Sequence, residues 1–298
     1  AALTAARTAP PKRRELPVPP LPEADCTAEA PRLTISVTRL EQLSPALLEL
    51  GCPARVYIPL EEVSRLESLP GEGPEWCAVL PRVWRDRDEP ALRTLLERAR
   101  ALGFTGVLIG NLGHLPLVRG LDFHLYGDYG LNVFNSRSLA YLKDKELESA
   151  CVSFELRFAQ IRDLKKYLPC EAVVYGRLPL MIMENCVIRN ELGCRDAGRD
   201  YADRSPACRC GQENVLVDRT GAQFPLVGQW GHRCEIENSK VLFLADKPEW
   251  RQLGLTRARL RFTTEPPEEC VRVLRAYQGR SDYRPDQLTR GLFYRGVE

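Results

Sequence analysis

Apolar and polar positions along the chain alternate between two periods, with short apolar runs separated by segments of helical spacing. The runs 33–37 (LTISV), 54–60, 76–83, 106–111, 150–156, 171–181 and 258–265 read as strands, and 123–135 as one strand or two broken at Gly127. Between them, 38–51 repeats Leu40, Leu43, Leu47 and Leu50 at helical spacing before Gly51. EEVSRLESL is a brief helix. Segment 89–103 is a longer one, with Pro90 in its first turn and Gly103 as its stop. Segments 136–147 (with Ser136 as cap), 157–168, 247–255 and 266–279 complete the helical set.

Strands alternating with helices imply βαβ units and a parallel sheet. The expected fold is α/β: a (β/α)8 TIM-barrel-like domain over 32–298, with a Cys-rich insertion at 184–246 after a late strand. A doubly wound open sheet is the runner-up. Residues 1–31 hold seven prolines among alanines and charges, too little apolar surface to offset chain entropy, and read as a linker. With no initial Met, the chain is expected to be the C-terminal part of something longer.

In a barrel, functional side chains stand at the C-terminal ends of strands. That rule selects Asn111, Asp128, Asn135, Glu155 and Arg177. Asp128 and Asn135 serve equally well as turn and capping residues, whereas Glu155 and Arg177 must be paired or face a cavity.

Charge adds little: 42 basic against 40 acidic side chains leave +2, so no global field selects nucleic acid or an anionic membrane. No apolar run approaches the roughly 20 residues of a membrane span, and no signal peptide is apparent, so a cytoplasmic location is expected.

Cysteine usage changes the picture. Eleven cysteines are many for a reducing compartment. Cys77, Cys151, Cys170 and Cys270 lie in or beside apolar segments and read as buried hydrophobes. Cys186, Cys194, Cys208, Cys210 and Cys234 instead cluster among turn-forming residues, as expected of a soft-metal site. Their spacing is neither that of a zinc ribbon nor that of a bacterial ferredoxin, so it does not name the metal. Of the CRC pair, Cys210 is preferred because Gly211 frees the backbone, with Cys208 as alternate.

The segments YGRLPLM, ENCVIRN, LVDRTGAQFPL, CEIENS and VLFLADK, with the closing RFTTE and LTRGLFYRGVE, resemble the U32 family of collagenase-like peptidases, in its C-terminal portion. The resemblance implies a further N-terminal portion as a partner of this half. It also implies two divergent activities: a peptidase, or an iron–sulfur protein whose four cysteines hold a [4Fe-4S] cluster and serve hydroxylation of RNA or a related substrate. Residue by residue, Cys186, Cys194, Cys210 and Cys234 match the four ligands, and zinc is the alternative metal. The 195–207 loop and the extra Cys208 depart from the commoner pattern.

A peptidase needs an activated nucleophile or a metal-bound water. The three histidines, His114, His124 and His232, form no HExxH or related motif. A binding-module reading rests on Arg177, Arg189, Arg195, Arg199, Arg204, Arg209, Arg219 and Arg233, interleaved with Tyr175, Tyr201, Phe224 and Trp230. These suit phosphate contact and base stacking, although Asp196, Asp200, Asp203 and Glu213 offset part of the charge. The expectation is an iron–sulfur-dependent modification enzyme acting on RNA or another large substrate.

Overall fold

A computed structural model describes residues 2–10, 13–18, 20, 23, 26–51, 53–193 and 213–297. Twelve strands run in chain order among these residues. They are β1 Arg32–Ser36, β2 Arg55–Pro59, β3 Glu75–Val79, β4 Gly106–Ile109, β5 His124–Gly127, β6 Ser149–Cys151, β7 Cys170–Met183, β8 Asn214–Val217, β9 Gln223–Gln229, β10 Arg233–Phe243, β11 Arg257–Arg261 and β12 Leu288–Thr289.

Strands β1 to β7 pair in parallel in chain order, and β11 closes the circle between β7 and β1. The result is a closed eight-stranded parallel barrel with helices between strands, the (β/α)8 architecture. Each of the eight barrel strands lies within or overlaps an apolar run of the sequence; 123–135 contributes only β5, followed by a turn and an isolated pairing of Val133 with Val152.

The helices differ more from their patterns. Segment 38–51 splits at Pro45: Ser44 caps a new start, its hydroxyl accepting from Leu47 N, and the helix is only Pro45–Glu49. The 157–168 segment is helical only over Phe158–Asp163. The cap of Ser136–Asp144 is Asn135, whose Oδ1 accepts from Ser138 N at 3.0 Å, and not Ser136, whose hydroxyl accepts from Lys165 N. Within the N-terminal 31 residues, Ala2–Thr8 forms an exposed helix, Cys26 N donates to Lys166 O at 2.6 Å and Ala28 N to Gly254 O at 3.4 Å.

Strand β7 belongs to two sheets. Its first half pairs with β6 and β11 in the barrel, and from Tyr175 onward it pairs antiparallel with β10, which pairs in turn with β9, and β9 with β8. Gly176 is the junction: its φ is +125°, and a Cβ there would stand 2.2 Å from Arg261 O. Only glycine fits that approach.

The main apolar core lies between barrel and helices, where Ile35, Val56, Ile58, Ala78, Leu92, Leu96, Leu139 and Ile161 are buried. The barrel interior is different. A small apolar group of Tyr57, Cys77, Leu108 and Tyr126 shares it with Thr34, Arg55, Ser149, Glu171 and Arg259, which hydrogen-bond across the barrel. No described helix is long and apolar enough to cross a membrane.

Candidate active site at the barrel mouth

A cavity of about 1400 Å³ opens at the C-terminal ends of the strands, walled by the ends of β1, β2, β3 and β11 and by the β8–β9 hairpin. Its floor is charged. Arg259 Nη1 donates to Asp128 Oδ1 at 2.5 Å, Arg259 Nε donates to Glu171 Oε2 at 3.0 Å, and all three side chains are buried. Burial alone would raise the Glu171 carboxyl; the Arg259 charge and hydrogen bonds, with Thr34 and Arg55, outweigh it and hold the group below the ordinary value.

A second group sits nearer the opening. Arg261 makes a two-pronged pair with Glu237, at 2.9 and 2.7 Å, and its Nη1 also donates to Arg177 O at 2.6 Å. Glu235 pairs with Arg82 and accepts from Gln229 Nε2 at 3.0 Å. Burial and the neighbouring Glu237 push the Glu235 carboxyl up to about 7, against the pull of Arg261 and Arg82. The Tyr129 ring lies 5.6 Å from the Arg82 guanidinium and 5.9 Å from that of Arg261.

The five strand-end candidates separate clearly. Asp128 and Arg177 line the cavity. Asn135 is the helix cap already described, and Glu155 lies in the turn after β6, outside the cavity lining. Asn111 also caps: its Oδ1 accepts from Gly113 N at 2.6 Å, and its Nδ2 donates to Arg82 O at 3.1 Å, so it props the loop that carries Arg82. Beside it, His114 is fully buried. Its Nδ1 accepts from Gly110 N at 3.2 Å, which places the ring proton on Nε2, facing Pro81 O at 3.1 Å.

Sequence reasoning missed Arg82, Arg259, Arg261, Glu235 and Glu237. One signal was present: RARLRF alternates Arg257, Arg259 and Arg261 on one side of a strand, and CEIENS does the same with Glu235 and Glu237.

Two of the five clustered cysteines come together in the sheet beyond the mouth. Cys234 Sγ donates to Cys186 Sγ at 3.4 Å, well beyond the roughly 2.05 Å of a disulfide. Cys234 does not lie among turns as expected: it sits inside β10, paired with β7 and β9 on its two sides, where Arg233, Cys234 and Glu235 are all buried. Cys186 caps the short helix Val187–Leu192 and accepts from Arg189 N at 3.4 Å. Ile188, Leu226 and Ile236 surround the pair, with Met183 and Phe224 against them. Burial, then the adjacent Cys186 thiol, push the Cys234 thiol up to about 11, against hydrogen bonds from the Ile188 and Val187 backbone.

Paired reduced thiols receiving backbone N–H bonds have the donor chemistry of a thiolate–metal site, and both side chains fit one. Cys194, Cys208 and Cys210 lie outside the described residues, and among the described residues no three His, Cys, Asp or Glu side chains form a metal-holding group. Of the arginines proposed for nucleic acid, Arg189 and Arg219 are exposed. Arg233 is buried against Glu184 at 2.9 Å, and Arg195, Arg199, Arg204 and Arg209 fall outside the described residues.

Among solved structures, the U32 peptidase Mk0906 aligns at 12% identity over 83% of this chain and 98% of that one, with a TM-score of 0.43. The putative copper homeostasis protein CutC from Streptococcus agalactiae aligns at 14% over 47% and 87%, with a TM-score of 0.36. Among curated proteins, none matches. The family description "Peptidase family U32" matches residues 69–278, which span β3 to β11 entire, the Gly176 junction and both thiols, and the chain belongs to that family.

Proposed function

We propose that this chain is an iron–sulfur-dependent modification enzyme of family U32, acting on RNA or a comparably large substrate, and not a protease. The observation that carries the reading is the Cys186–Cys234 pair, two reduced thiols 3.4 Å apart in an apolar pocket of the sheet that extends from the barrel mouth. With Cys194 and Cys210, or Cys208 in place of the latter, they would hold a [4Fe-4S] cluster, which supplies electron-transfer or oxygen chemistry when bound. The chain's own part is to shield the thiols with Ile188, Leu226 and Ile236 and to give their sulfurs backbone hydrogen bonds. The cavity would receive the reacting part of the substrate against Asp128, Arg177 and Tyr129.

Two of the three histidines, His114 and His124, are placed where they could not activate a peptidase nucleophile at the mouth. Both ring nitrogens of His114 are engaged by backbone groups, and burial pushes its pKa down to about 4. His124 is exposed and pairs with Glu148 at 2.5 Å, at the start of β5 and so at the opposite end of the barrel from the mouth. Neither is hydrogen-bonded to a Ser or Cys that it could activate.

Anaerobic purification tests the proposal. The expected product is brown, carries about four irons per chain, and loses both colour and iron in Cys186→Ser and Cys234→Ser variants. A colourless protein with stoichiometric zinc, or cleavage of gelatin that a single nucleophile substitution abolishes, overturns it.

A further inference from the structure

We infer that the sector of the mouth between β7, β11 and β1 is a binding site for a small oxyanion, a carboxylate or a phosphate, held by Arg177 and Arg39. The inference is independent of the cluster. It starts from a contrast among the arginines that line the cavity. Arg82, Arg259 and Arg261 each pair with a carboxylate. Arg177 and Arg39 make no ion pair of that kind among the described residues; Arg177 acts on Glu265, and Arg39 on Glu41, only through charge at longer range.

Arg177 gives Nη1 to the carbonyls of Asn238, at 2.9 Å, and Ser239, at 2.6 Å, which fixes the guanidinium in place without neutralising it. Its Nε is buried and has no acceptor among the described residues, and the same is true of Arg39 Nε. A third polar atom, the hydroxyl of Ser36, is in the same position, and all three residues line the one cavity.

Topology brings them to one sector. Ser36 ends β1 and lies beside Arg261 in the β1–β11 register, and β11 in turn pairs with β7, which carries Arg177. Thr38 Oγ1 donates to Thr263 O at 2.5 Å and so fastens the segment that leads into Arg39 to the loop after β11. Of the acids on this side, Glu41 and Glu62 pair with Arg65. Glu265 accepts from Thr263 N and, at 3.1 Å, from the Tyr175 hydroxyl, and Glu269 accepts from the Tyr283 hydroxyl at 2.5 Å.

A guanidinium donor withdrawn from water with no acceptor is costly, and two of them in the lining of one cavity favour an anion there. The planar fork of Arg matches the paired oxygens of a carboxylate or phosphate through Nε and Nη. The Ser36 hydroxyl adds a neutral donor. At about 1400 Å³ the cavity exceeds the roughly 300–1,000 Å³ typical of small-ligand pockets, so a whole small molecule fits with its anionic end in this sector.

Calorimetric titration of the full chain with inorganic phosphate and, separately, with malonate at low ionic strength tests the site. At least one probe binds saturably at one per chain, and Arg39→Met and Arg177→Met each weaken it about tenfold or more. Whichever probe binds identifies the class of anion. Arg177 also ties down the 238–239 backbone, so should Arg177→Met fail to fold, Arg39→Met with an unchanged melting curve carries the test. A Cys186→Ser protein binds the probe as the unaltered chain does, which separates this result from the fate of the iron assignment. No saturable binding of either probe, undiminished binding in Arg39→Met, or binding of a short RNA oligonucleotide alone overturns the inference.

Discussion

The barrel interior and the small sheet beyond its mouth both bury reactive side chains, in opposite ways. Inside the barrel, Arg259, Glu171 and Asp128 close on one another, with Thr34 and Tyr57 satisfying the remaining oxygens of Glu171. Cys77 and Cys151 are buried there too, each thiol pushed far up by burial, Cys151 with the neighbouring Cys170 adding to the rise. In the sheet, Cys186 and Cys234 face each other inside an apolar wall. A buried group whose bonds are all made within the barrel holds structure. In the sheet, two thiols are brought together in a small apolar cluster apart from the main core, and the proposed function rests on that arrangement.

The sharpest way to break this contrast is to open the barrel network. Glu171→Ala strands Arg259 with Asp128 alone, and the expected loss is about 3–5 kcal/mol of unfolding free energy at pH 7, the usual cost of removing one partner of a buried pair. Chemical denaturation measures it. The Glu171 carboxyl is held below its unfolded value, so its contribution is present above about pH 4.5 and is lost as the pH falls through the folded value. The gap between variant and parent therefore narrows in acid. A loss under about 1 kcal/mol would show that the interior charges do not brace the barrel.

The barrel was legible in the sequence because each parallel strand, buried on its outer face, leaves an apolar run. The short helices were less so, since Pro45 resets one helix and the 157–168 segment keeps a single turn and a half. The charged interior was nearly invisible. Arg259 and Glu171 sit in apolar strands that a periodicity argument classifies by their majority, and their partners lie 88 residues apart in the chain. The sequence placed Arg177 and Asp128 at strand ends, and both reach the cavity; of the others chosen by the same rule, Glu155 belongs to a turn and Asn135 caps a helix. The cysteine cluster was legible as composition, whereas the convergence of Cys186 with Cys234 depends on β7 and β10 pairing in register, Met183 opposite Cys234.

The loop behind Arg82 offers a smaller, pH-dependent probe of the barrel side. Burial holds the His114 pKa down at about 4, against about 6.5 when unfolded, while Pro81 O and the Asp128 charge pull weakly the other way. Between those values the unfolded chain binds the proton and the folded one does not. Stability is therefore complete above pH 6.5 and falls as the pH drops toward 4, by about 1.4 kcal/mol per unit and about 3 kcal/mol in all. His114→Gln flattens the profile in that window. A profile unchanged by the substitution would mean that the ring is not held neutral.

The smallest effect on folding belongs to the sheet. Cys234→Ala removes one sulfur from a pocket with five apolar neighbours, outside the main core, and is expected to change unfolding free energy by about 1 kcal/mol. Cys151→Ala, fully buried within the barrel, is expected to cost as much or more. If burial alone explained the sheet thiols, the two variants would also agree in every other property. If the sheet thiols hold metal, Cys151→Ala keeps its iron in anaerobic preparations while Cys234→Ala loses it, at equal or better stability of the metal-free fold. Iron content measured beside denaturation midpoints on the same two proteins separates the explanations, because a structural defect moves both readouts together and the loss of a ligand moves only one.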